Sequence, residues 1–361
     1  MRIMSIFGTR PEIIRLTRVF EKLDRHAEHI MVHTGQNYAE NLSDIFFRDL
    51  RVRRPDHFID SRSPSVGQQI AKILAGVEAL LERCRPDRVL ILGDTNSALA
   101  AIIAERCGIP VYHMEAGNRC WDRKVPEEIN RRLVDAIASH ALPYTPGSRE
   151  NLIRDGIDPR RIFVSGNPIG EVIRHYASDI DRSEVLDRLG LAPGSYFVVT
   201  AHRAENVDNP TRLANIVTAL ERLHAEHRWP VIFSVHPRTR DKLRQLGRVR
   251  EDVGVRYVDA MGFFDFVKLE KHAALMLTDS GTVQEECCLF HVPTVTIRDT
   301  TERPETLECG SNLVSGLEVD GILNAATIML ECGREWTLPI GYGDLNVSDR
   351  VVNHIVAHRH S

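Results

Sequence analysis

Leu277-Thr278-Asp279-Ser280-Gly281-Thr282-Val283-Gln284-Glu285-Glu286 holds a strand end, a turn and a helix start. The apolar run Ala274 to Leu277 reads as a buried parallel strand. Asp279 to Thr282 is the turn, and Val283 to Leu289 reads as a helix with Ser280 or Thr282 at its N-cap. A turn at the carboxyl end of a parallel strand, feeding a helix N-terminus, attracts anions. Backbone N–H groups and the helix dipole point outward there, and Gly281 lets a phosphate approach the chain. Glu285 and Glu286 add acceptors for ribose hydroxyls. One strand later comes Arg298-Asp299-Thr300-Thr301-Glu302-Arg303-Pro304-Glu305. Two arginines with hydroxyls between them suit a diphosphate, because guanidinium grips phosphate in a planar fork. Together the two segments point to a nucleoside diphosphate; each alone also fits a strand–turn–helix and a solvated charged loop.

Outward from this stretch, strand and helix patterns alternate along the chain. Strands are expected at Ile3–Phe7, Ile30–His33, Arg88–Leu92, Pro110–Met114, Ala141–Leu142 and Ile162–Val164. A second series falls at Phe197–Thr200, Val231–Val235, Val255–Val258, Leu275–Leu277 and Thr294–Ile297. Helices are expected from Pro11 to Leu23, Val66 to Arg83, Ala98 to Glu105, Glu128 to Ser139, Pro210 to His224 and Asp349 to His358. Ile70, Ile73, Leu74, Val77, Leu80 and Leu81 carry the helical spacing of the second. Strands separated by such helices pair in parallel through right-handed crossovers. The expected fold is α/β: two Rossmann-like, doubly wound domains facing across a cleft. Residues 1–167 form the first domain and 168–345 the second, with a helix over 346–361 packing back on the first. At 361 residues two domains are the natural expectation.

The balance of charges excludes several classes. The net charge of −4 gives no reason to expect nucleic acid or an anionic membrane as partner. No apolar run is long enough to span a bilayer, and the chain begins directly on a strand pattern. The 7 cysteines are scattered and form no C-x-x-C, so neither a zinc site nor a disulfide frame is expected, and the compartment reads as a reducing cytoplasm. No G-x-G-x-x-G follows a strand, so no nicotinamide cofactor is indicated, and metal-ligand spacing is absent.

The chemically suggestive residues Arg10, Asp94, Glu115, His202, His236, Ser280 and Arg303 all fall at predicted strand ends, where doubly wound sheets bind ligands. Asp94, Glu115 and Glu127 are three carboxylates of the first domain. Crowded carboxylates raise one another's pKa, so that one serves as acid while another serves as base. They also fit a plainer role, capping helices or pairing with Arg119, Arg131 or Arg132. Arg10 at a helix start suits a phosphate clamp. His202, followed by Arg203 and Glu205, suits proton donation near neutrality or a phosphate contact. His236, ahead of Pro237, reads first as structural.

Seven ordered motifs then carry a family resemblance: Gly8-Thr9-Arg10-Pro11-Glu12, Gly93-Asp94-Thr95, His113-Met114-Glu115-Ala116-Gly117, Pro126-Glu127-Glu128-Ile129-Asn130-Arg131, His202-Arg203-Ala204-Glu205-Asn206, Asp279 to Glu286 and Arg298 to Glu305. In this order they resemble the non-hydrolysing UDP-N-acetylglucosamine 2-epimerases, from about residue 2 to about residue 316. The resemblance implies the GT-B arrangement of two Rossmann-like domains and a homodimer. It also implies reversible inversion at C2 of a UDP-2-acetamido sugar, without cofactor, by elimination of UDP and re-addition to a glycal intermediate. By motif, Asp94, Glu115, Glu127 and His202 are the catalytic candidates. Arg10, Ser280, Gly281 and Glu286 match UDP-binding positions, Arg303 matches a sugar or phosphate contact, and Phe266 matches a position packing near uracil. Arg15, Arg131 and His236 complete the substrate-binding set.

The chain also departs from that pattern. Arg15 stands where the family usually has lysine. The segment between Glu115 and Pro126 is short and lacks the usual Ser-Pro. In many bacterial members that region and a glutamine segment, here Thr34-Gly35-Gln36-Asn37-Tyr38, bind a second, activating UDP-sugar. The wording resembles a branch acting on UDP-2,3-diacetamido-glucuronate or UDP-N-acetyl-6-deoxyhexosamines, in which Arg15 or Arg123 would meet a uronate carboxylate. A hydrolysing epimerase releasing N-acetylmannosamine and UDP, a GT-B glycosyltransferase, and a non-catalytic nucleotide-sugar sensor, against which Asp94, Glu115, Glu127 and His202 argue, are the remaining alternatives.

Overall fold

The computed structural model describes residues 1–36, 46–248 and 254–357. The chain divides into two units, Met1–His175 with Ile340–Ser361, and Tyr176–Pro339.

The first unit is built on strands β1 (Arg2–Phe7), β2 (Glu28–His33), β3 (His57–Phe58), β4 (Arg88–Leu92), β5 (Val111–Met114) and β6 (His140–Leu142). They lie in the order β3-β2-β1-β4-β5-β6, every pair parallel. This is the doubly wound order, with its switch point between β1 and β4. Helix α1 (Arg10–His26) follows β1, α2 (Val66–Cys84) precedes β4, and α3 (Pro126–Ile137) precedes β6. Both faces of the sheet are covered, which is why β1 and β4 read as unbroken apolar runs rather than alternating ones. Ile73, Val77, Leu80 and Leu81 of α2 bury against Met4, Ile6, Val89 and Ile91. Each such side chain contributes roughly 1.5–3 kcal/mol. Ser65 caps α2, its side chain accepting the Gln68 N–H at 3.3 Å, and α2 stops at Arg85 in the left-handed region.

The second unit repeats the plan with β7 (Phe197–Thr200), β8 (Val231–Val235), β9 (Val255–Asp259), β10 (Leu275–Thr278), β11 (Thr294–Thr296) and β12 (Asn312–Val314). Its order is β12-β11-β10-β7-β8-β9, so the switch point lies between β7 and β10. Helix α4 (Pro210–His227) follows β7, α5 (Phe263–Lys271) precedes β10, α6 (Gly281–Phe290) follows it, and α7 (Pro304–Glu308) precedes β12. Leu213, Ile216, Val217 and Leu220 of α4 pack on Val199, Phe233 and Leu277.

Several expectations shift. Ile162–Val164 forms no strand; only an isolated parallel bridge joins Ala141 to Ile162. The helix expected from Ala98 begins as a 3-10 turn, Asn96–Ala100, before Ala101–Arg106 becomes α-helical. Short β3 and β12 carry too few apolar residues to signal themselves in sequence. The last helix, Val347–Ala357, belongs to the first unit. It is tied there by Lys22–Asp349 at 2.5 Å, by the Ser348 N–H donating to Glu171 at 2.8 Å, and by His354 stacked on Phe163.

Candidate active site

Both switch points are crossed by a buried carboxylate. In the second unit it is Asp279, fully buried in the turn after β10. Its Oδ2 accepts the backbone N–H of His202 at 3.0 Å and of Arg203 at 2.9 Å, and the Asn206 amide at 3.1 Å. These donors all sit in the loop and short helix after β7, so one side chain locks the loop that follows β7 to the loop that follows β10. Charge-assisted bonds of this kind contribute about 1.5–3 kcal/mol each. The His202 side chain stays 55% exposed, with Nδ1 3.3 Å from Asp279 Oδ1. The backbone is thus fixed while the ring still reaches solvent.

Beside this clasp, Ser280 takes the N-cap position of α6 with extended backbone and no side-chain capping bond. A Cβ on Gly281 would stand 3.4 Å from the Arg303 guanidinium, so that guanidinium lies against the first turn of α6. Helix-terminal N–H groups and a guanidinium converge there, as an anion requires. Arg303 is itself anchored by Glu285, Nε to Oε1 at 2.5 Å, with both residues buried. Arg298 has a different place from the one its sequence suggested. It is buried, and both its terminal nitrogens engage Glu302, at 2.7 and 2.9 Å, so it braces the loop before α7. Glu286 is buried beside Glu270, whose carboxyl is held well above its ordinary range by burial and then by the charge of Glu286. Phe266, on α5, is half-buried against the cluster of Val198, Met276 and Val283. His236 is half-buried at the end of β8.

In the first unit the crossing carboxylate is Glu12. Its Oε2 accepts the Gly8 N–H at 3.1 Å and the Thr9 hydroxyl at 2.7 Å, and its Oε1 accepts the Thr95 hydroxyl at 3.3 Å. Burial raises this carboxyl to about 7 against those hydrogen bonds. Gly8 is required on space: a Cβ there would lie 2.1 Å from Thr34 Oγ1 and 2.3 Å from Ser97 Oγ. Arg10 opens α1, half-buried, with its guanidinium 5.5 Å from the Phe46 ring; burial lowers its pKa. It has no carboxylate partner within salt-bridge reach among the described residues.

The catalytic carboxylate candidates stand after β4 and β5. Glu115 takes φ +65, a left-handed backbone that costs a non-glycine residue about 1 kcal/mol and marks sites where geometry outranks stability. Its Oε2 pairs with Arg15 Nη1 at 2.5 Å, and both are buried. Asp94, which follows Gly93, pairs with Arg131, and its backbone carbonyl accepts the Asn130 amide at 3.0 Å. Glu127, in the first turn of α3, is half-buried. Glu115 thus holds Arg15, and Asp94 shares Arg131 with Glu128, the pairing with arginine that the sequence also allowed for Asp94. Arg15 and Arg131 are engaged inside the unit by these carboxylates, and Arg123 is exposed.

Sequence reasoning missed a buried layer beneath. His113 Nε2 meets the Gly93 carbonyl at 2.7 Å, and its Nδ1 lies 2.9 Å from Asp135. Burial raises the Asp135 carboxyl, but His113 and Arg119 more than offset this and hold it below its ordinary value. Glu128 joins Arg131 and Arg132 at 2.9 Å each. The signal was present as His113, Asp135 and Glu128 near motif residues, but nothing in spacing distinguishes such supports from surface charges. Asn37 and Tyr38 lie outside the described residues. Among the described residues no cluster of His, Cys, Asp or Glu has the arrangement to hold a metal ion, and no helix is long and apolar enough to cross a membrane.

This geometry matches known proteins along nearly its whole length. The UDP-N-acetylglucosamine 2-epimerase family model matches residues 21–356. A UDP-N-acetylglucosamine 2-epimerase of Methanocaldococcus jannaschii is 39% identical over 351 residues, covering 95% of this chain and 96% of that protein. A UDP-2,3-diacetamido-2,3-dideoxy-D-glucuronate 2-epimerase of Pseudomonas aeruginosa is 36% identical over 334 residues, covering 91% of this chain and 92% of that protein. The crystal structure of the Methanocaldococcus jannaschii UDP-GlcNAc 2-epimerase in complex with UDP-GlcNAc and UDP superposes with a TM-score of 0.94 at 38% identity, over 99% of this chain and all of that one. With two doubly wound sheets, a buried carboxylate across each switch point, and similarity of this extent, the chain belongs to the UDP-N-acetylglucosamine 2-epimerase family.

Proposed function

We propose that the protein interconverts UDP-N-acetylglucosamine and UDP-N-acetylmannosamine by elimination and re-addition of UDP. The observation that carries this reading is the division of charge between the two switch points. One has helix N–H groups and Arg303 for an anion; the other has carboxylates held by fixed partners. In this reading the second unit binds UDP. Ser280, Gly281 and Arg303 take the diphosphate, Glu286 the ribose and Phe266 the uracil, with Arg10 and His236 as further contacts. Departure of UDP from C1 leaves negative charge on the β-phosphate, which cationic and backbone donors stabilise. His202 stands by the bond that breaks.

Loss of the weakly acidic C2 proton needs a positioned carboxylate, and return of a proton to the opposite face needs a second group. Asp94, Glu115 and Glu127 supply these roles in this reading, with Arg15 and Arg131 orienting two of them. A transferase would need the anion site but not the three carboxylates. Arg15 is buried on Glu115 inside the unit, which supports the unmodified sugar over a uronate that Arg15 would have met. A cytoplasmic homodimer accompanies this reading, as the resemblance implies.

Incubation of the purified protein with UDP-N-acetylglucosamine and no acceptor tests it. The expected result is accumulation of UDP-N-acetylmannosamine with the total UDP-sugar conserved. Build-up of free UDP would favour a hydrolysing enzyme, and turnover of only 2,3-diacetamido-glucuronate or 6-deoxy analogues would overturn the substrate assignment.

A further inference from the structure

Two thiols in the second unit lie close together beneath the anion site. Cys288 is buried in α6, the helix that starts at Gly281, and Cys309 is half-buried directly after α7, the helix whose N-cap is Arg303. Their sulfurs are 3.8 Å apart. Cys309 Sγ also lies 3.3 Å from Ser311 Oγ and 3.5 Å from the Thr306 carbonyl. Contact with Cys288, and further the hydrogen bonding with Ser311, hold the Cys309 thiol below its ordinary range in spite of burial. The Cys288 thiol is held above its own, first by the same contact and then by burial. Cys309 is half-buried and Cys288 fully buried, so Cys309 is the sulfur a small oxidant reaches first and Cys288 the neighbour placed to resolve it. A disulfide needs the sulfurs at about 2.05 Å, so closure is a movement of under about 2 Å. Gly310, directly after Cys309, has φ +84 and open space around it, which leaves the chain room for that movement.

We propose that Cys288 and Cys309 are a redox modification site that closes to a disulfide by exchange with a low-molecular-weight disulfide of the glutathione type. The Cys309 thiolate attacks one sulfur of the oxidant, forming a mixed disulfide and releasing one thiolate of the small molecule. Cys288 then loses its proton to solvent and attacks the Cys309 sulfur, releasing the second small thiolate. The protein gives up two electrons and two protons; the oxidant takes the electrons and leaves as two thiols. The bond ties α6 to α7, the two helices whose starts carry Gly281 and Arg303. It forms whether or not the epimerase reading holds, since it depends on thiol chemistry alone.

The test treats the full-length protein with oxidised glutathione, blocks remaining thiols by alkylation, and maps peptides by mass spectrometry without reduction. The expected product is a peptide pair joined through Cys288 and Cys309, released by reduced thiol. In Cys288→Ser, Cys309 should instead be recovered as the glutathione adduct, because the resolving thiol is gone. In Cys309→Ser, Cys288 should be recovered alkylated after denaturation, with no adduct. Recovery of alkylated Cys309 from the oxidised wild-type protein would overturn the proposal, and so would a stable glutathione adduct on Cys309 with Cys288 free. Cys107 and Cys332, both exposed, serve as internal controls that should take adducts in every variant.

Discussion

Asp279 Oδ2 accepts the backbone N–H of His202 at 3.0 Å while its Oδ1 stands 3.3 Å from Nδ1 of the same residue. One buried carboxylate thus fixes both the chain and one edge of a ring that otherwise stays exposed. Asp279→Asn keeps the size but turns an acceptor into a donor against N–H groups. The expected result is a loss of about 2–3 kcal/mol in stability by urea denaturation. A fall of at least about tenfold in kcat, with a smaller change in KM, should accompany it. Unchanged kcat in a folded variant would remove Asp279 from the positioning of His202.

Glu12 gives a pH signature. Burial raises its carboxyl from 4.5 to about 7. A carboxyl held above its unfolded value keeps its proton more tightly in the folded protein. Its contribution to stability is therefore fully present below about pH 4.5 and is lost as pH rises through about 7. Glu12→Gln removes the titration, so its stability relative to wild type should improve between about pH 5 and pH 8, by up to about 3 kcal/mol. Urea denaturation at the two pH values measures this, and a difference independent of pH would contradict it.

Arg15 and Glu115 are a buried pair at 2.5 Å. Arg15→Met leaves Glu115 buried without its cation, which should cost about 3–5 kcal/mol. Glu115→Gln keeps a hydrogen-bonding partner for Arg15. It should fold with a smaller loss, yet lose about a hundredfold or more in turnover if Glu115 carries protons. Calorimetry and steady-state kinetics on the two variants separate the structural from the chemical role.

Gly281 separates binding from folding. A Cβ there meets the Arg303 guanidinium at 3.4 Å, an ordinary contact, and the backbone at Gly281 lies outside the left-handed region that would strain alanine. Gly281→Ala should therefore be as stable as wild type or slightly more so. Its methyl nonetheless occupies the approach to the first turn of α6, so KM for the UDP-sugar should rise about tenfold or more. A variant with unchanged KM would place the diphosphate elsewhere.

Much of this fold can be read from residue order. The unbroken apolar runs of β1, β4, β7 and β10 announce buried parallel strands, and the turns after them announce where ligands bind. The supports of the site are harder to see. Glu12 and Asp279 sit inside motifs, yet which donors they meet depends on the sheet order that brings the loop after β1 beside the loop after β4, and the loop after β7 beside the loop after β10. Arg298 and Arg303 look equivalent in sequence. Only the fold shows that Arg298 closes on Glu302 four residues along, while Arg303 reaches back to Glu285 and lies against Gly281. Asp94 and Glu115 each meet an arginine contributed by a helix, Arg131 and Arg15, and sequence spacing does not reveal which.

The most direct measurement is proton NMR of the purified protein with UDP-N-acetylglucosamine in D₂O. Elimination at C2 predicts that the H2 signal disappears from both the gluco and the manno epimers as they interconvert, with no free UDP accumulating. Formation of the manno epimer with its H2 proton fully retained would contradict elimination, and an unchanged spectrum would contradict the assigned substrate.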